Sequence, residues 1–189
     1  MVSLLTGGCR AAAEAQIRLS HYTHSVPSGK SYYVKCDDAL VVWSIPANYN
    51  LANFVLGWKG SLWELSRLWA PDGHRPSLLT EAISEALSAL RQQERVDAVV
   101  SYADPNAGHL GGVYRAASWI YHGQSEESRV YVSKETGEHV SRRAFHSGNR
   151  GMTKAEIEAL GYAQVKLPGK QRFVRPVSQR ARKKLGALR

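Results

Sequence analysis

The stretch VVSYADPNAGHLGGVYRAASWIYHG, residues 99–123, decides how the rest of the chain is interpreted. From Val96 onward the sequence is mostly apolar, which predicts a strand buried on both faces of a mixed sheet. Asp104 ends this strand, a turn containing several glycines follows, and Tyr114 lies on the next predicted helix. Ligands of open α/β sheets bind beyond such strand ends, so Asp104 and Tyr114 are candidate site residues. A helix cap at Asp104 and simple packing of Tyr114 explain the same pattern equally well.

Length and composition indicate one globular domain. The chain has 189 residues, of which 43% are hydrophobic, and this is enough to bury a substantial core. No apolar run is long enough to span a membrane, and the apolar start at Met1–Leu5 lacks the pattern of a secretory signal, so we expect a cytoplasmic protein. Cys9 and Cys36 are widely separated, which favours reduced thiols over a structural zinc site.

The net charge of +9 is concentrated at the C-terminal end. No acidic residue follows Glu158, whereas nine basic residues do: Lys166, Lys170, Arg172, Arg175, Arg180, Arg182, Lys183, Lys184 and Arg189. The remaining 16 basic residues balance the 16 acidic residues of the chain. A basic segment on a neutral body predicts nucleic acid as the partner, and a solvated tail without a specific role is the alternative.

Predicted helices and strands alternate along the chain. An alanine-rich helix over Arg10–Leu19 is followed by strands at Leu40–Ile45 and Leu62–Trp69 and by a helix over Pro76–Glu94. Leucine, isoleucine and alanine recur at helical spacing in the last of these segments, so it presents one apolar face to a sheet. This order predicts an α/β fold in which helices flank a mixed sheet.

The strand at Leu62–Trp69 carries an arginine among aromatic residues. Strict alternation puts one set of side chains on one face, Trp63, Leu65, Arg67 and Trp69, and the other set on the opposite face, Leu62, Glu64, Ser66 and Leu68. A charge in an apolar setting needs a partner. A glutamate, a backbone carbonyl group and an anionic ligand all remain open for Arg67.

The turn after this strand, APDGHRPS at residues 70–77, precedes a helix N-terminus. Free backbone N–H groups and the positive end of the helix dipole favour an anion there. His74, Arg75 and Ser77 add side-chain donors. Many α/β proteins have similar turns that bind nothing, so an empty turn is the alternative.

The C-terminal third contains a short helix and two strand-like segments. Thr153 and Glu156 form a predicted capping box at the start of the helix. Gln164–Leu167 and Arg172–Val177 are joined by Pro-Gly at 168–169, which predicts a basic hairpin with a type II turn.

The predicted domain organisation follows from these elements. A single domain covers residues 1–177, with an N-terminal helix in residues 1–20 and the small helix and hairpin in residues 152–177. Residues 178–189 are expected to form a frayed basic tail.

Five short motifs occur in order between His21 and Val177. They are His21-Tyr22 followed by Pro27, ELSRL at 64–68, VSYAD at 100–104, GVYRAA at 112–117 and GKQRFV at 169–174. In this order, and over most of the chain, they resemble the Mom family of phage DNA-modification proteins, which are divergent relatives of the GCN5-related N-acetyltransferases (GNAT). The resemblance implies an α/β, acetyltransferase-like (GNAT-like) fold with an acyl-CoA site.

The resemblance also implies an activity, namely modification of the exocyclic amine of adenine in duplex phage DNA. The added carbamoylmethyl group would protect the DNA from host restriction. Attack of an amine on acetyl-CoA gives an acetamide and not a methylene-linked group, so the implied cofactor is acetyl-CoA or another activated donor. Iron near the active site is a further cofactor implied by the resemblance.

The same resemblance assigns site residues. Catalytic roles fall on His21, Tyr22, Asp104 and Tyr114, and a metal site falls on the first three of these. Asp104 is the expected acceptor of the amine proton, and Tyr114 is expected either to protonate the leaving group or to orient the donor. A packing pair at a helix end is the alternative for His21 and Tyr22. The pyrophosphate cradle of the donor falls on Ser66, Arg67, His74, Arg75 and Ser77, although this turn has a single glycine, Gly73.

Modification of adenine in a duplex requires that the base leave the stack. Aromatic side chains available to receive it are Trp43, Trp58, Tyr102 and Trp119. Phosphate contacts are expected from the basic hairpin and tail, through Lys166, Lys170, Arg172, Arg175, Arg180, Arg182, Lys183 and Lys184. Two other functions fit the same sequence: an ordinary N-acetyltransferase for a protein or small amine, and a DNA-binding module without catalysis.

Overall fold

A computed structural model describes residues 2–145 and 151–186. The strands are β1 Val2–Leu5, β2 Ser31–Cys36, β3 Ala39–Ser44, β4 Leu62–Trp69, β5 Ala98–Ala103, β6 Ile120–Gln124, β7 Ser128–Ser133, β8 His139–Ser141, β9 Tyr162–Leu167 and β10 Gln171–Pro176. The helices are α1 Gly7–Ser20, α2 Leu51–Leu56, α3 Leu78–Gln93, α4 Gly112–Ala116, α5 Lys154–Ala159 and α6 Gln179–Gly186, with short 3-10 turns at Pro105–Ala107 and Arg142–Phe145.

The strands form two sheets. The larger has seven strands in the order β1-β2-β3-β4-β5-β10-β6, and the smaller has three in the order β8-β7-β9. Within the larger sheet β4 and β5 run parallel, whereas the other neighbours run antiparallel. The predicted α/β fold, a mixed sheet flanked by helices, is therefore confirmed.

Helices cover both faces of the larger sheet. On one face, α3 buries six side chains against residues that include Trp43 and Trp63, and α4 packs beside it. On the other face, α2 and α6 cover Leu62, Ala98 and Val174, and α1 covers Leu40 and Val42. Because each buried aliphatic or aromatic side chain stabilises by about 1.5 to 3 kcal/mol, the apolar stripe of α3 explains why this helix is fixed on the sheet.

A β-bulge in β4 overturns the predicted alternation of that strand. Trp43 of β3 pairs with Leu65, but Val42, its neighbour, pairs with Arg67, so Ser66 has no partner on β3. The extra residue turns the following side chains over. Arg67 therefore lies on the same face as Glu64, and not with Trp63 and Leu65 as strict alternation predicted.

The predicted basic hairpin does not form. β9 pairs with β7 in the smaller sheet, whereas β10 inserts between β5 and β6 in the larger one. The reason is the apolar pair in β10: Phe173 and Val174 point to opposite faces and are both fully buried, which an exposed hairpin does not allow.

The predicted frayed tail is also wrong over Gln179–Gly186, which form α6. Ala181 and Leu185, four residues apart on this helix, are fully buried beside Leu51, Val55 and Leu56. The basic side chains occupy the remaining, exposed positions of the helix. The high positive charge of this segment suggested disorder. The four-residue spacing of Ala181 and Leu185 instead lets the segment form a helix that buries both side chains. The basic residue at position 189 lies outside the described residues.

Other expectations are confirmed with shifted boundaries. α1 starts three residues before the predicted helix, and α3 starts at Leu78 and not at Pro76. The capping box of Thr153 and Glu156 is present at α5. The apolar start of the chain forms edge strand β1, which the sequence did not predict.

Two expectations concerned cysteines and membranes. Cys9 and Cys36 are free thiols. In the described part of the chain, no helix is long and apolar enough to cross a membrane.

Candidate active site

A gap between the parallel strands β4 and β5 creates the candidate site. These strands pair over three positions, from Leu62 with Ala98 to Glu64 with Val100. Beyond Glu64 the bulge bends β4, and the two strands separate toward their C-terminal ends. Ligands of mixed and parallel sheets bind at such ends, so the gap is the natural place for chemistry.

One cleft, the α3-side cleft, opens on the α3 face of this gap and has a volume of about 470 Å³. Its walls come from β4, β5, the start of α3 and the glycine turn before α4. The lining residues include His21, Tyr22, Leu65, Ser66, Leu68, His74, Leu79, Ser101, Tyr102, Gly111, Val113 and Tyr114.

A second cleft, the α1-side cleft, opens on the opposite face and has a volume of about 310 Å³. It is lined by Tyr22, Thr23, Glu64, Leu65, Ser66, Arg67, Tyr102, Ser125 and Lys170. Tyr22, Leu65, Ser66 and Tyr102 line both clefts. The two clefts therefore meet at the gap between β4 and β5.

The end of α1 delivers two predicted site residues to this junction. The ring centroids of His21 and Tyr22 lie 4.6 Å apart, and His109 stacks on the other side of Tyr22 at 4.8 Å. His21 Nδ1 lies 2.9 Å from the Thr23 hydroxyl group and 3.2 Å from the Thr23 backbone nitrogen, so Thr23 holds the orientation of the ring. Burial, with a smaller effect from the positive charge of Arg67, lowers the pKa of His21 to about 4. His21 is thus uncharged at neutral pH.

Tyr114 is buried, but its hydroxyl group reaches the α3-side cleft. The Ser101 hydroxyl group lies 2.8 Å from both the Tyr114 hydroxyl group and the Leu65 carbonyl oxygen. Because Ser101 has a single proton and the carbonyl oxygen can only accept, Ser101 donates to Leu65 and Tyr114 donates to Ser101. The Tyr114 ring packs on Trp119 and Phe173. Burial raises the pKa of Tyr114 to about 12, so its hydroxyl group keeps its proton at neutral pH.

Asp104 was expected to accept the amine proton in the site, but in the structure it lines neither cleft. Its Oδ2 atom accepts from Lys170 at 2.7 Å, and its Oδ1 atom accepts from the backbone N–H and the side-chain amide of Asn106. Burial disfavours the ionised carboxyl group, but the hydrogen bond and charge of Lys170 outweigh it, and the pKa of Asp104 lies below its ordinary value. Asp104 therefore caps the turn and anchors Lys170 beside the α1-side cleft.

Glu64 is a site residue that the sequence did not reveal. It is the one carboxylate that lines either cleft within the described ranges. Burial raises its pKa, and the charges of Arg67 and Lys170 offset part of this effect. The available signal was an acidic residue inside an apolar strand, but strict alternation had separated it from Arg67.

A family model places the chain among known proteins. The model of the Mom protein family matches residues 8–189. The chain belongs to the Mom family. Methylcarbamoylase Mom of Escherichia phage Mu is 31% identical over 125 residues, which cover 65% of this chain and 51% of that protein. The aligned part thus spans about half the length of this relative.

A solved structure supports the fold of this Mom family member. The crystal structure of Arabidopsis thaliana NAA60 in complex with acetyl-CoA has a TM-score of 0.54 at 10% sequence identity, and the match covers 94% of this chain and 98% of that one. The ribosomal-protein-S18-alanine N-acetyltransferase from Escherichia coli matches with a TM-score of 0.49 at 10% identity, over 95% and 94% of the two chains. The fold of this chain is therefore GNAT-like, as predicted.

The predicted pyrophosphate cradle of this Mom family member is split by the structure. Ser66 and His74 line the α3-side cleft, whereas Arg67 lies on the other face and donates to the backbone oxygen of Ser25 at 2.7 Å. A backbone carbonyl group is thus the partner of Arg67. The other two residues, Arg75 and Ser77, are exposed beside the N-terminus of α3, where Arg75 pairs with Glu81 and Asp37 and donates to Ser77.

The predicted iron site does not fit this Mom family member. Within residues 2–145 and 151–186, no group of three or more histidine, cysteine or acidic side chains is placed to hold a metal. Asp104 already binds the ammonium group of Lys170, which occupies the position of a cation. His21 and Tyr22 lack the carboxylate that would complete the set, so iron is not supported.

The four aromatic candidates for receiving a flipped base lie in different parts of the structure. Trp43 and Trp119 are buried in the core, and Trp43 donates to the Ala86 carbonyl oxygen. Trp58 stacks under the guanidinium group of Arg180 at 4.1 Å. Of the four candidates, Tyr102 lines the clefts.

The eight predicted DNA-binding cations do not form one surface. Lys166 lies on the smaller sheet beside Glu127, and Arg175 lies on the α3 face of β10. Arg172 is buried, donates to the His122 and Gln124 carbonyl oxygens and stacks on Phe54 and Tyr102. The four exposed cations at 180–184 share α6, and Lys170 lies at the α1-side cleft.

Proposed function

We propose that this protein transfers an acyl-derived group from acyl-CoA or another activated donor to the exocyclic amine of adenine in duplex DNA. In the specific form implied by the family, a carbamoylmethyl group protects phage DNA from host restriction in the cytoplasm. The meeting of two clefts at the β4–β5 gap carries this proposal. A donor on the α3 side and an acceptor on the α1 side reach each other there without either crossing the sheet.

The donor side fits a molecule with an apolar arm and an anionic end. Leu65, Leu68 and Val113 give the α3-side cleft apolar walls, and the cleft runs toward the start of α3 past His74. Backbone N–H groups at that helix end favour a pyrophosphate group. These features support CoA as the carrier of the transferred group.

Tyr114 is assigned the role of stabilising the leaving group. With a thioester donor, the adenine amine attacks the carbonyl carbon, a C–N bond forms and the C–S bond breaks. The sulfur takes up a proton as the amine loses one, so the products are an amide and a thiol. A methylene-linked carbamoylmethyl group requires the other activated donor, because acyl transfer from a thioester does not form an N–CH2 bond. The hydroxyl group of Tyr114, which keeps its proton, turns it from the Ser101 hydroxyl group toward the departing sulfur.

His21, Tyr22 and Asp104 are assigned to positioning. Neutral His21 stacks on Tyr22, which stands where the two clefts meet. Asp104 holds Lys170 at the α1-side cleft, where its ammonium group is available to a DNA phosphate. A base flipped from the duplex would lie between Tyr22 and Tyr102.

Mass spectrometry of DNA tests the proposed function. The wild-type protein is expressed in a bacterium, total DNA is digested to nucleosides, and a heavier deoxyadenosine is expected. The Tyr114→Phe variant should reduce the adduct, whereas Tyr49→Phe, at a tyrosine that is 88% exposed and far from both clefts, should not. Folded wild-type protein that yields no adduct with either acetyl-CoA or a phage-infected cell extract as donor source would refute the proposal. Transfer to a protein or small amine without DNA would indicate an ordinary N-acetyltransferase.

A further inference from the structure

The carboxyl group of Glu64 has no assigned task in the transfer described above. It points into the α1-side cleft from β4, one residue before Leu65 and two before Ser66, which line both clefts. Within residues 2–145 and 151–186 no side chain hydrogen-bonds its carboxyl group, and the charges of Arg67 and Lys170 act on it from a distance. A carboxyl group that lines a cleft and is not engaged by the protein is available to a ligand that enters the cleft.

The surroundings of Glu64 define what kind of ligand fits. Tyr22 and Tyr102 add two aromatic side chains to the cleft, and Lys170 lies at its rim. The volume of about 310 Å³ is at the lower end of the range for small-ligand sites, about 300 to 1,000 Å³. Aromatic walls, a carboxyl group that can pair with a base edge and a lysine suit a single flipped nucleotide.

We infer that Glu64, as a neutral carboxylic acid, holds the amine edge of the flipped adenine. Its carbonyl oxygen accepts from the N6 amine, and its hydroxyl group donates to ring nitrogen N1. This inference rests on the proposed function and deepens it, because it names the group that presents N6 to the gap. Burial raises the pKa of Glu64, which is the direction that this pairing requires.

The pairing also addresses the weak nucleophilicity of an adenine amine. If the carbonyl oxygen of Glu64 takes a proton from N6 while its hydroxyl group passes a proton to N1, adenine becomes its imino form and Glu64 stays neutral. The lone pair of N6 is then no longer delocalised into the ring. After the transfer, the proton on N1 is released and N6-substituted adenine remains, so protons balance.

Duplexes with base analogues test this role. Each contains one central base opposite an abasic site: adenine, purine, which lacks the amine, or 1-deazaadenine, which lacks N1. Each lost hydrogen bond should weaken wild-type binding about fivefold. Glu64→Gln keeps one donor and one acceptor, so it should retain both preferences while DNA modification falls, because an amide does not relay the proton. Glu64→Leu should lose both preferences.

The outcomes separate this inference from the proposed function. Equal wild-type binding of the three duplexes, or preferences that persist in Glu64→Leu, would overturn the role of Glu64 even if DNA modification is observed. Tight wild-type binding of the 1-deazaadenine duplex would indicate an ionised carboxylate, which has no proton for N1, and would also overturn it. Absence of any adenine adduct from the wild-type protein would instead overturn the proposed function on which the inference rests. Thermal unfolding of both variants establishes that they are folded.

Discussion

The basic face of α6 offers a direct test of DNA binding. Arg182 and Lys183 are exposed and have no recorded partner in the part of the chain that the structure describes. Arg180 stacks on Trp58, and Lys184 packs beside Gly57, so these two cations also hold α6 in place. The double substitution Arg182→Gln with Lys183→Gln therefore removes charge without removing packing.

The expected effect is a change in salt dependence. Each phosphate contact adds about 0.9 to the slope of log affinity against log salt concentration, so two lost contacts reduce the slope by about 1.8. Between 50 and 200 mM salt, wild-type affinity should therefore fall about 12-fold more than that of the variant. Stability should change by no more than about 0.5 kcal/mol, because both side chains are on the surface.

Fluorescence anisotropy with a labelled duplex at four or more salt concentrations measures the slope. The matched control is Arg91→Gln with Arg95→Gln, which removes the same charge on and just after α3, on the opposite face of the sheet. The control should keep the wild-type slope. An unchanged slope in the α6 variant, or an equal decrease in the control, would refute the assignment of this helix to DNA phosphates.

Three further predictions concern stability and the site. Leu185→Ala should lower the free energy of unfolding in urea by about 2 to 4 kcal/mol, because Leu185 is fully buried. A decrease below about 1 kcal/mol would instead support a frayed tail. Gly169→Ala places a Cβ atom against the backbone oxygen of Ser125 and should lower the free energy of unfolding by about 1 to 3 kcal/mol, whereas Gly112→Ala meets no atom within 4 Å and should lower it little; equal costs would contradict the geometry. Lys170→Met should raise the pKa of Asp104 toward its ordinary value in an NMR titration. Because a lowered carboxyl pKa gives stability that is lost as pH falls, this variant should also lose less stability in acid; an unmoved pKa would argue against the ion pair.

Segments with a strong local pattern were predictable from the sequence. The apolar run before Asp104 is β5, the helical spacing after Pro76 is α3, and the capping box at Thr153 is in place. In each case the pattern of apolar or capping residues lies within a single helix or strand. Neighbouring residues alone are therefore enough to predict that element.

The arrangement of the candidate site was harder to predict from the sequence. The bulge at Ser66 brings Glu64 and Arg67 to one face, and a shift of one residue reverses every later side chain of a strand. The partner of Asp104 is Lys170, which is distant in sequence and reaches it because β10 lies beside β5. Such pairings depend on strand order, which no local pattern encodes.

By itself, the sequence determined the α/β class, the concentration of positive charge near the C-terminus and the motifs of the Mom family, because periodicity, composition and short motifs are properties of neighbouring residues. Tertiary structure decided where β10 inserts, that Gln179–Gly186 is a packed helix, and that two clefts meet at the β4–β5 gap. These features depend on which apolar faces are buried together. The free energy of that burial belongs to the assembled core and not to any one segment.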